Sequence, residues 1–303
     1  MHNKPLRDNE KLAQKVIERK GECKWCGSSK IVKAGLDKTK VQRWLCRECR
    51  HRFALNGCPP RMKTPLRTIA LAHEFYYDGM SLRKTKRNLG KAIGSVRHDT
   101  TILRWLNKYP ALVAPFLENF HPVTGVEWAA DENQVKVKGV PYWIWETLDS
   151  KTRFLLSLIE TDISRTDERA VELFGKAKRL GGRPQVIQTD GLGAYNAGIN
   201  KNFWNPKPQL RVIHNVGGMA ENARIERYHN TYKDRYKVMR GFKSVPSSTA
   251  INQGFRISCN FLRDHMALKT TPAVAAGIRL PFEDGWGDLV RWASYWQTLS
   301  HLH

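Results

Sequence analysis

The chain has 303 residues, of which 41% are hydrophobic, and its 51 Lys+Arg against 28 Asp+Glu give a formal net charge of +23. That length allows two or three domains, and the charge calls for an anionic partner, either nucleic acid or an acidic membrane. No apolar run reaches the ~18 residues that span a bilayer. The charged opening MHNKPLRDNEKLAQKVIERK lacks the apolar stretch of a secretory signal. A soluble, cytoplasmic protein that works on nucleic acid is therefore expected.

The charge is unevenly spread. Residues 1–110 hold 26 Lys+Arg against 9 Asp+Glu, a net +17, and the remainder holds 25 against 19, a net +6. The first third is the electrostatic arm. Residues 1–20 read as a polar helical lead-in. Residues 21–56 carry two pairs, Cys23-Lys-Trp-Cys26 and Cys46-Arg-Glu-Cys49, with 19 residues between them. This spacing matches a closed tetrahedral zinc site with four thiolate ligands. The intervening VKAGLDKTKVQRWL reads as the hairpin that brings the knuckles together. Metal binding would supply folding energy to a module too small to bury a core of its own. Cys58 and Cys259 stand apart.

GCPPRMKTP, residues 57–65, is a Pro/Gly-rich linker. Helical spacing of Leu66, Ile69, Ala70 and His73 then gives one helix, broken at Asp78-Gly79-Met80. Ser81 caps a second, Leu82 to Leu89. A third runs from Asp99 to Lys108, where Pro110 closes it. Residues 64–110 thus resemble a helix-turn-helix. Arg97, His98, Thr100, Thr101 and Arg104 are its candidate groove readers, and Ile102, Leu103, Trp105 and Leu106 its packing face. Arg83, Lys84, Lys86 and Arg87 are candidate phosphate contacts, which fix position without reading sequence.

After residue 123 the pattern changes. GVEWAADENQVKVKG, PYWIWETLDSKT and RFLLSLIETD read as three antiparallel strands, with turns at Lys138-Gly139 and Asp149-Ser150-Lys151. Residues 165–180 form an amphipathic helix ending at Gly181-Gly182. RPQVIQTDG and LRVIHNV are two more strands, followed by a long helix from about Ala220 to Met239. The order predicts a mixed α/β sheet of ribonuclease H-like type with flanking helices, over residues 122–268.

Three acids in this region invite chemistry. Asp190 ends an apolar strand, where ligands of open α/β sheets gather. Asp131 interrupts the first strand, although aspartate disfavours strands. Glu226 lies on the long helix beside its expected buried stripe of Ile225, Tyr228, Tyr232 and Tyr236. Buried carboxylates cost several kcal/mol unless paired or bound to metal. Two divalent ions held by three acids can flank a phosphodiester, and hard oxygen ligands select Mg²⁺ or Mn²⁺. Taken singly, each acid also has an ordinary reading, as a turn residue or a surface ion-pair partner.

As a set, WAADENQVKVKG…DSKTR, QTDGLGAY and ENARIERYHNTYKDRYKVMRGFKS resemble the DDE-type transposases of bacterial and archaeal insertion sequences. The resemblance implies a catalytic triad of Asp131, Asp190 and Glu226 that binds two Mg²⁺ or Mn²⁺. Glu226 is favoured over Glu221 by the surrounding motif, and 35 residues separate it from Asp190, which leaves no room for an inserted domain. The family's DNA-binding arm is matched by the zinc ribbon, with Cys23, Cys26, Cys46 and Cys49 as zinc ligands, and by the helices. Arg224, Arg227, Lys233, Arg235 and Lys237 lie near Glu226 and are further candidate DNA contacts, some of them solvated surface. The implied activity is binding of an element's terminal inverted repeats, DNA cleavage and strand transfer in a prokaryotic cytoplasm, by a homodimer or larger assembly. A DNA-binding regulator built on a non-catalytic scaffold, or a metal-dependent nuclease without strand transfer, are the alternatives. Residues 269–303 match no pattern; Trp286, Trp292 and Trp296 are expected to pack on the core or on a second subunit.

Overall fold

The structure, a computed structural model, describes residues 4–17, 21–38, 40–55, 58–60, 62, 64–94, 98–161, 164–204, 210–214 and 223–300. A helix α1 (Lys4–Ile17) precedes a three-stranded antiparallel sheet of β1 (Ile31–Leu36), β2 (Gln42–Cys46) and β3 (Arg52–Ala54). Its own small core holds Cys23, Cys46 and Phe53.

Helices α2 (Leu66–Tyr77), α3 (Leu82–Ile93) and α4 (Asp99–Leu117) follow. Ser81 caps α3 by accepting from Lys84 N, and Gly94 ends it in the left-handed conformation at φ 62°. Pro110 does not close α4, contrary to expectation; the helix runs through both Pro110 and Pro115. An internal proline costs about 3 kcal/mol. Burial of Tyr109, Pro110, Val113, Phe116 and Leu117 against the helices described below offsets it.

The second sheet has the order β6-β5-β4-β7-β8, from β4 (Glu127–Val137), β5 (Val140–Asp149), β6 (Leu155–Thr161), β7 (Val186–Thr189) and β8 (Arg211–His214). The first three are antiparallel, while β7 and β8 run parallel to β4. Lys138 and Gly139 turn β4 into β5 with φ of 52° and 85°, the double left-handed geometry of a type I′ hairpin. Helix α5 (Asp167–Gly181) crosses from β6 to β7. Helix α6 (Gly193–Phe203) crosses from β7 to β8 and was not anticipated. Beyond β8 come α7 (Ala223–Met239), α8 (Val245–Ile257) with a π-helical turn at Ser258–Leu262, the short α9 (Pro272–Ala275) and α10 (Trp286–Ser300). This is the expected ribonuclease H-like mixed sheet with helices on both faces.

Register assigns the faces. Asp131 pairs with Glu146, and Glu132 with Trp145. Alternation therefore sends Asp131 and Glu146 to one face, where α7 and α8 pack, and Glu132 and Trp145 to the other. On that second face Trp145 meets Tyr195 of α6, ring to ring at 5.3 Å. One hydrophobic core runs from α2–α4 through the sheet to α10. Trp286 and Trp292 are buried within it, with Trp286 stacked on Tyr77, and Trp296 packs partly buried near Phe116. Among the described residues, no helix is long and apolar enough to cross a membrane.

Candidate active site

Strands β4 and β7 pair in parallel with Ala129 opposite Gln188. Two residues further on, the same register sets Asp131 beside Asp190, where β7 stops and β4 continues. Gly191 leaves the strand at φ 93°, and Asp190 Oδ1 accepts from Leu192 N at 3.0 Å to start the turn into α6. Asp190 is thus a turn residue and also a carboxylate at the mouth of the sheet. One oxygen each of Asp131, Glu132 and Asp190 lies within 4.8 Å of the others.

Asp131 is the acid least at ease in this cluster. Burial, opposed by His229 and by a hydrogen bond from Glu132 N and reinforced by the charges of Glu132 and Asp190, lifts its pKa to about 6. Glu132 is partnered within the chain itself: Arg165 Nη1 donates to Oε1 at 2.8 Å and Tyr195 Oη to Oε2 at 2.6 Å. Arg165 also covers the Trp143 ring at 4.5 Å.

On the other face, His229 of α7 lies between two carboxylates. Its Nδ1 is 3.5 Å from Asp131 Oδ2. Its Nε2 is 2.9 Å from Glu146 Oε2, an ion-pair contact outside hydrogen-bond alignment. Burial opposes charge on the imidazole, but Glu146 and Asp131 outweigh it and raise its pKa. The sequence did not reveal His229, Glu146, Glu132, Tyr195 or Arg165 as parts of the site. The cross-strand register that joins them is a long-range property.

Glu226 stands in the first turn of α7, exposed, and is not among the clustered acids. The helix is rotated relative to the expected stripe. It buries Ile225, His229, Tyr232 and Arg235, and leaves Tyr228 and Tyr236 half-buried. His229 turns inward because two carboxylates await it. Glu226 sits one turn before His229, on the edge of the same face. Arg224 is held by Glu127 at 2.8 Å, and Arg227 and Lys233 are exposed. Glu221 lies outside the described residues.

The donor set of Asp131 and Asp190 suits a hard divalent cation. These are carboxylate oxygens, and burial together with like charges that a cation would relieve holds Asp131 above the usual carboxylate range. The cysteines form a second cluster, with all four Sγ atoms mutually within 4.8 Å. Cys23 and Cys49 are 3.5 Å apart and Cys26 and Cys46 3.6 Å, and all are free thiols. A tetrahedral Zn–S bond of about 2.3 Å requires S···S separations near 3.8 Å, so the cluster fits zinc. Turns at Gly27 (φ 72°) and Arg50 (φ 61°) close the two knuckles.

On α3, Arg83, Lys84 and Arg87 are exposed and Lys86 is half-buried; on α4, Thr100 and Arg104 are exposed and Thr101 is half-buried. Ile102, Trp105 and Leu106 are buried and Leu103 partly so, as expected of the packing face. Arg97 lies outside the described residues.

Asp131 and Asp190 are thus adjacent aspartates on the central parallel strands of a ribonuclease H-like sheet. Residues 125–265 match a family model described as a DDE domain. Among solved structures, the chain is similar to the catalytic core domain of HTLV-2 integrase in complex with magnesium. In the trimeric form the identity is 17%, over 52% of this chain and 99% of that one, with a TM-score of 0.39. It is also similar to an intasome of simian T-cell lymphotropic virus at 16% identity, over 53% of this chain and 59% of that one, with a TM-score of 0.37. Comparison with curated proteins gives no match.

Proposed function

We propose that this protein is a DNA transposase, a polynucleotidyl transferase that cuts at the ends of its element and joins them to target DNA. The observation that carries the reading is the side-by-side placement of Asp131 and Asp190 inside a segment matching the DDE domain. Asp131, Asp190 and Glu226 are the catalytic carboxylates and would hold Mg²⁺ or Mn²⁺. When bound, such ions activate the attacking water or 3′-hydroxyl and stabilise the leaving oxygen. Glu132 already has two partners of its own. It therefore supports the cluster, and Glu226, without a partner in the cluster, is the better third ligand. His229 orients Asp131 from behind, with Glu146 as its counter-charge.

The remaining parts serve end recognition. Residues 21–56 form a zinc ribbon held by Cys23, Cys26, Cys46 and Cys49. Residues 64–110 form a helix-turn-helix in which Arg97, Thr100, Thr101 and Arg104 read bases while Arg83, Lys84, Lys86 and Arg87 hold phosphates. Residues 122–268 form the catalytic unit, where Arg224, Arg227 and Lys233 guide the scissile strand. Two ends must meet, so the working form is a homodimer or larger assembly, acting on DNA in a prokaryotic cytoplasm.

The test is strand joining in Mg²⁺ or Mn²⁺ with labelled DNA carrying the element's ends. Wild type should give joined products, and Asp190→Asn and Glu226→Gln should each lose at least about a hundredfold in rate, as expected when a metal-binding group is removed. End binding by the wild type with no cleavage or joining would reject the enzyme reading. Cleavage without joining would replace it with a nuclease.

A further inference from the structure

A cavity of about 700 Å³ opens between α3, the start of α4, and the C-terminal end of α7 with the turn that follows it. Six cations line it: Arg83 and Lys84 from α3, Arg235 and Lys237 from α7, and Arg240 and Lys243 from the turn. Asp99 is the acid among the lining residues, and it faces His98 at 2.9 Å. Lys237 leans on Asp234 at 3.4 Å. Arg83, Lys84, Arg240 and Lys243 are exposed, and none makes an ion pair among the described residues.

Arg235 is the lining cation whose charge is least satisfied. It is 3% exposed, and none of its three guanidinium nitrogens meets a hydrogen-bond acceptor among the described residues. Its partner is the Tyr76 ring, 3.6 Å from the guanidinium carbon. Burying an unpaired charge costs several kcal/mol, and a desolvated cation–π contact returns only about 2. Among the described residues no carboxylate reaches Arg235, which leaves its charge open to an outside anion.

The neighbouring turn is fixed in advance. Phe242 N donates to Lys136 O and Lys138 N to Phe242 O, both at 2.9 Å, which ties residues 240–243 to the end of β4. Arg240 is held at φ 58°, a conformation that residues with a side chain seldom adopt. Arg240 and Lys243 are thereby presented on an anchored backbone. Arginine forks on fixed positions match phosphate oxygens. The intervening Leu82, Leu103 and Val238 offer apolar surface to sugars.

We propose that this cavity binds the sugar–phosphate backbone of duplex DNA, bridging the basic helices and the helix that carries Glu226. The proposal rests on the DNA-binding reading of α3 and α4 and extends it to the far end of α7. The contact is sequence-independent, because it addresses phosphates alone.

The experiment uses the full chain in an Asp190→Asn background, so that nothing is cut. Binding to an element-end duplex and to a scrambled duplex is followed by fluorescence anisotropy between about 50 and 200 mM salt. Arg240→Gln/Lys243→Gln should weaken both duplexes by the same factor, about tenfold. It should also lower the slope of log affinity against log salt by about 2, since each neutralised phosphate contributes about 0.9. Arg235→Met should weaken both duplexes as well and lower the slope by about 1. If it fails to fold, the double variant of exposed residues carries the test.

An unchanged affinity and slope in the double variant would overturn the proposal, as would a loss confined to the element end. Loss of stabilisation by inorganic phosphate with DNA binding intact would make this a small-anion site instead. Because the scrambled duplex and the Asp190→Asn background bypass end recognition and chemistry, a failure here is distinct from a failure of strand joining.

Discussion

Asp131 carries a conflict that can be measured. Its folded pKa of about 6 lies above the ordinary 3.8. Between those values the folded protein keeps a proton that the unfolded chain has released. Without metal, stability therefore falls as pH rises from about 4 to about 6, by at most ~3 kcal/mol. Asp131→Asn removes that loss. In EDTA the variant should gain on wild type as pH rises, reaching up to about 3 kcal/mol at pH 7 by urea denaturation. Added Mg²⁺ should then narrow the gap by stabilising only the wild type. A difference that does not change with pH would mean that the carboxyl is unstrained. Asp131 and Asp190 were legible in the sequence because each breaks a local rule: a carboxylate within a strand, and a carboxylate at an apolar strand's tip. Glu132, Glu146 and His229 break no such rule. Their roles arise from register across β4 and β5 and from the rotation of α7, which only tertiary packing sets.

At the scale of elements, the strands of the first meander were legible from alternation and from the Lys138-Gly139 turn. Helix α6 was not, because GAYNAGINKNF combines two glycines with three asparagines, all weak helix formers. One of those glycines explains why the helix exists. A Cβ on Gly198 would lie 2.6 Å from both the carbonyl carbon and the oxygen of Ala170, so α6 rests directly on the backbone of α5. Gly198→Ala forces two backbones apart and should destabilise by about 2–3 kcal/mol, read as a lower urea midpoint at unchanged slope. Gly175→Ala is the control. Its Cβ would approach only the Asn202 side chain, at 3.3 Å, and the gain in helix propensity is worth up to about 1 kcal/mol. If both variants lose the same stability, the close approach of α5 and α6 is not what selects glycine. Helix α4 teaches the converse: Pro110 reads as a stop, but burial on both sides of it overrides local propensity.

At the scale of the whole molecule, two buried cores share one chain. The large core runs from α2 to α10 and takes in the C-terminal tryptophans, for which the sequence left the core and a second subunit both open. The small one holds little more than Cys23, Cys46 and Phe53, with Trp25, Cys26, Ile31, Trp44 and Cys49 around it. Below about 40 residues a module seldom buries enough surface to fold alone, and here the four sulfurs occupy the centre where apolar side chains would otherwise meet. Four sulfurs this close lose their protons readily only to a bound cation, so under the proposed zinc ribbon metal binding and folding are coupled. Cys46→Ser, or removal of metal by a chelator, should take bound zinc from about one per chain to none. Amide exchange over β1–β3 should then rise to unfolded rates, while the main melting transition of the sheet and helices moves by less than about 2 °C, because the two cores are separate clusters among the described residues. Retained protection in the metal-free ribbon would show that the cysteines are ordinary core thiols. A collapse of the main transition would show that the ribbon is part of the larger fold. On the expected outcome, the metal-free protein keeps Asp131 and Asp190 in place. It loses the fold of residues 21–56, which under the proposed function help present DNA to them, so end binding should fall before the larger core unfolds.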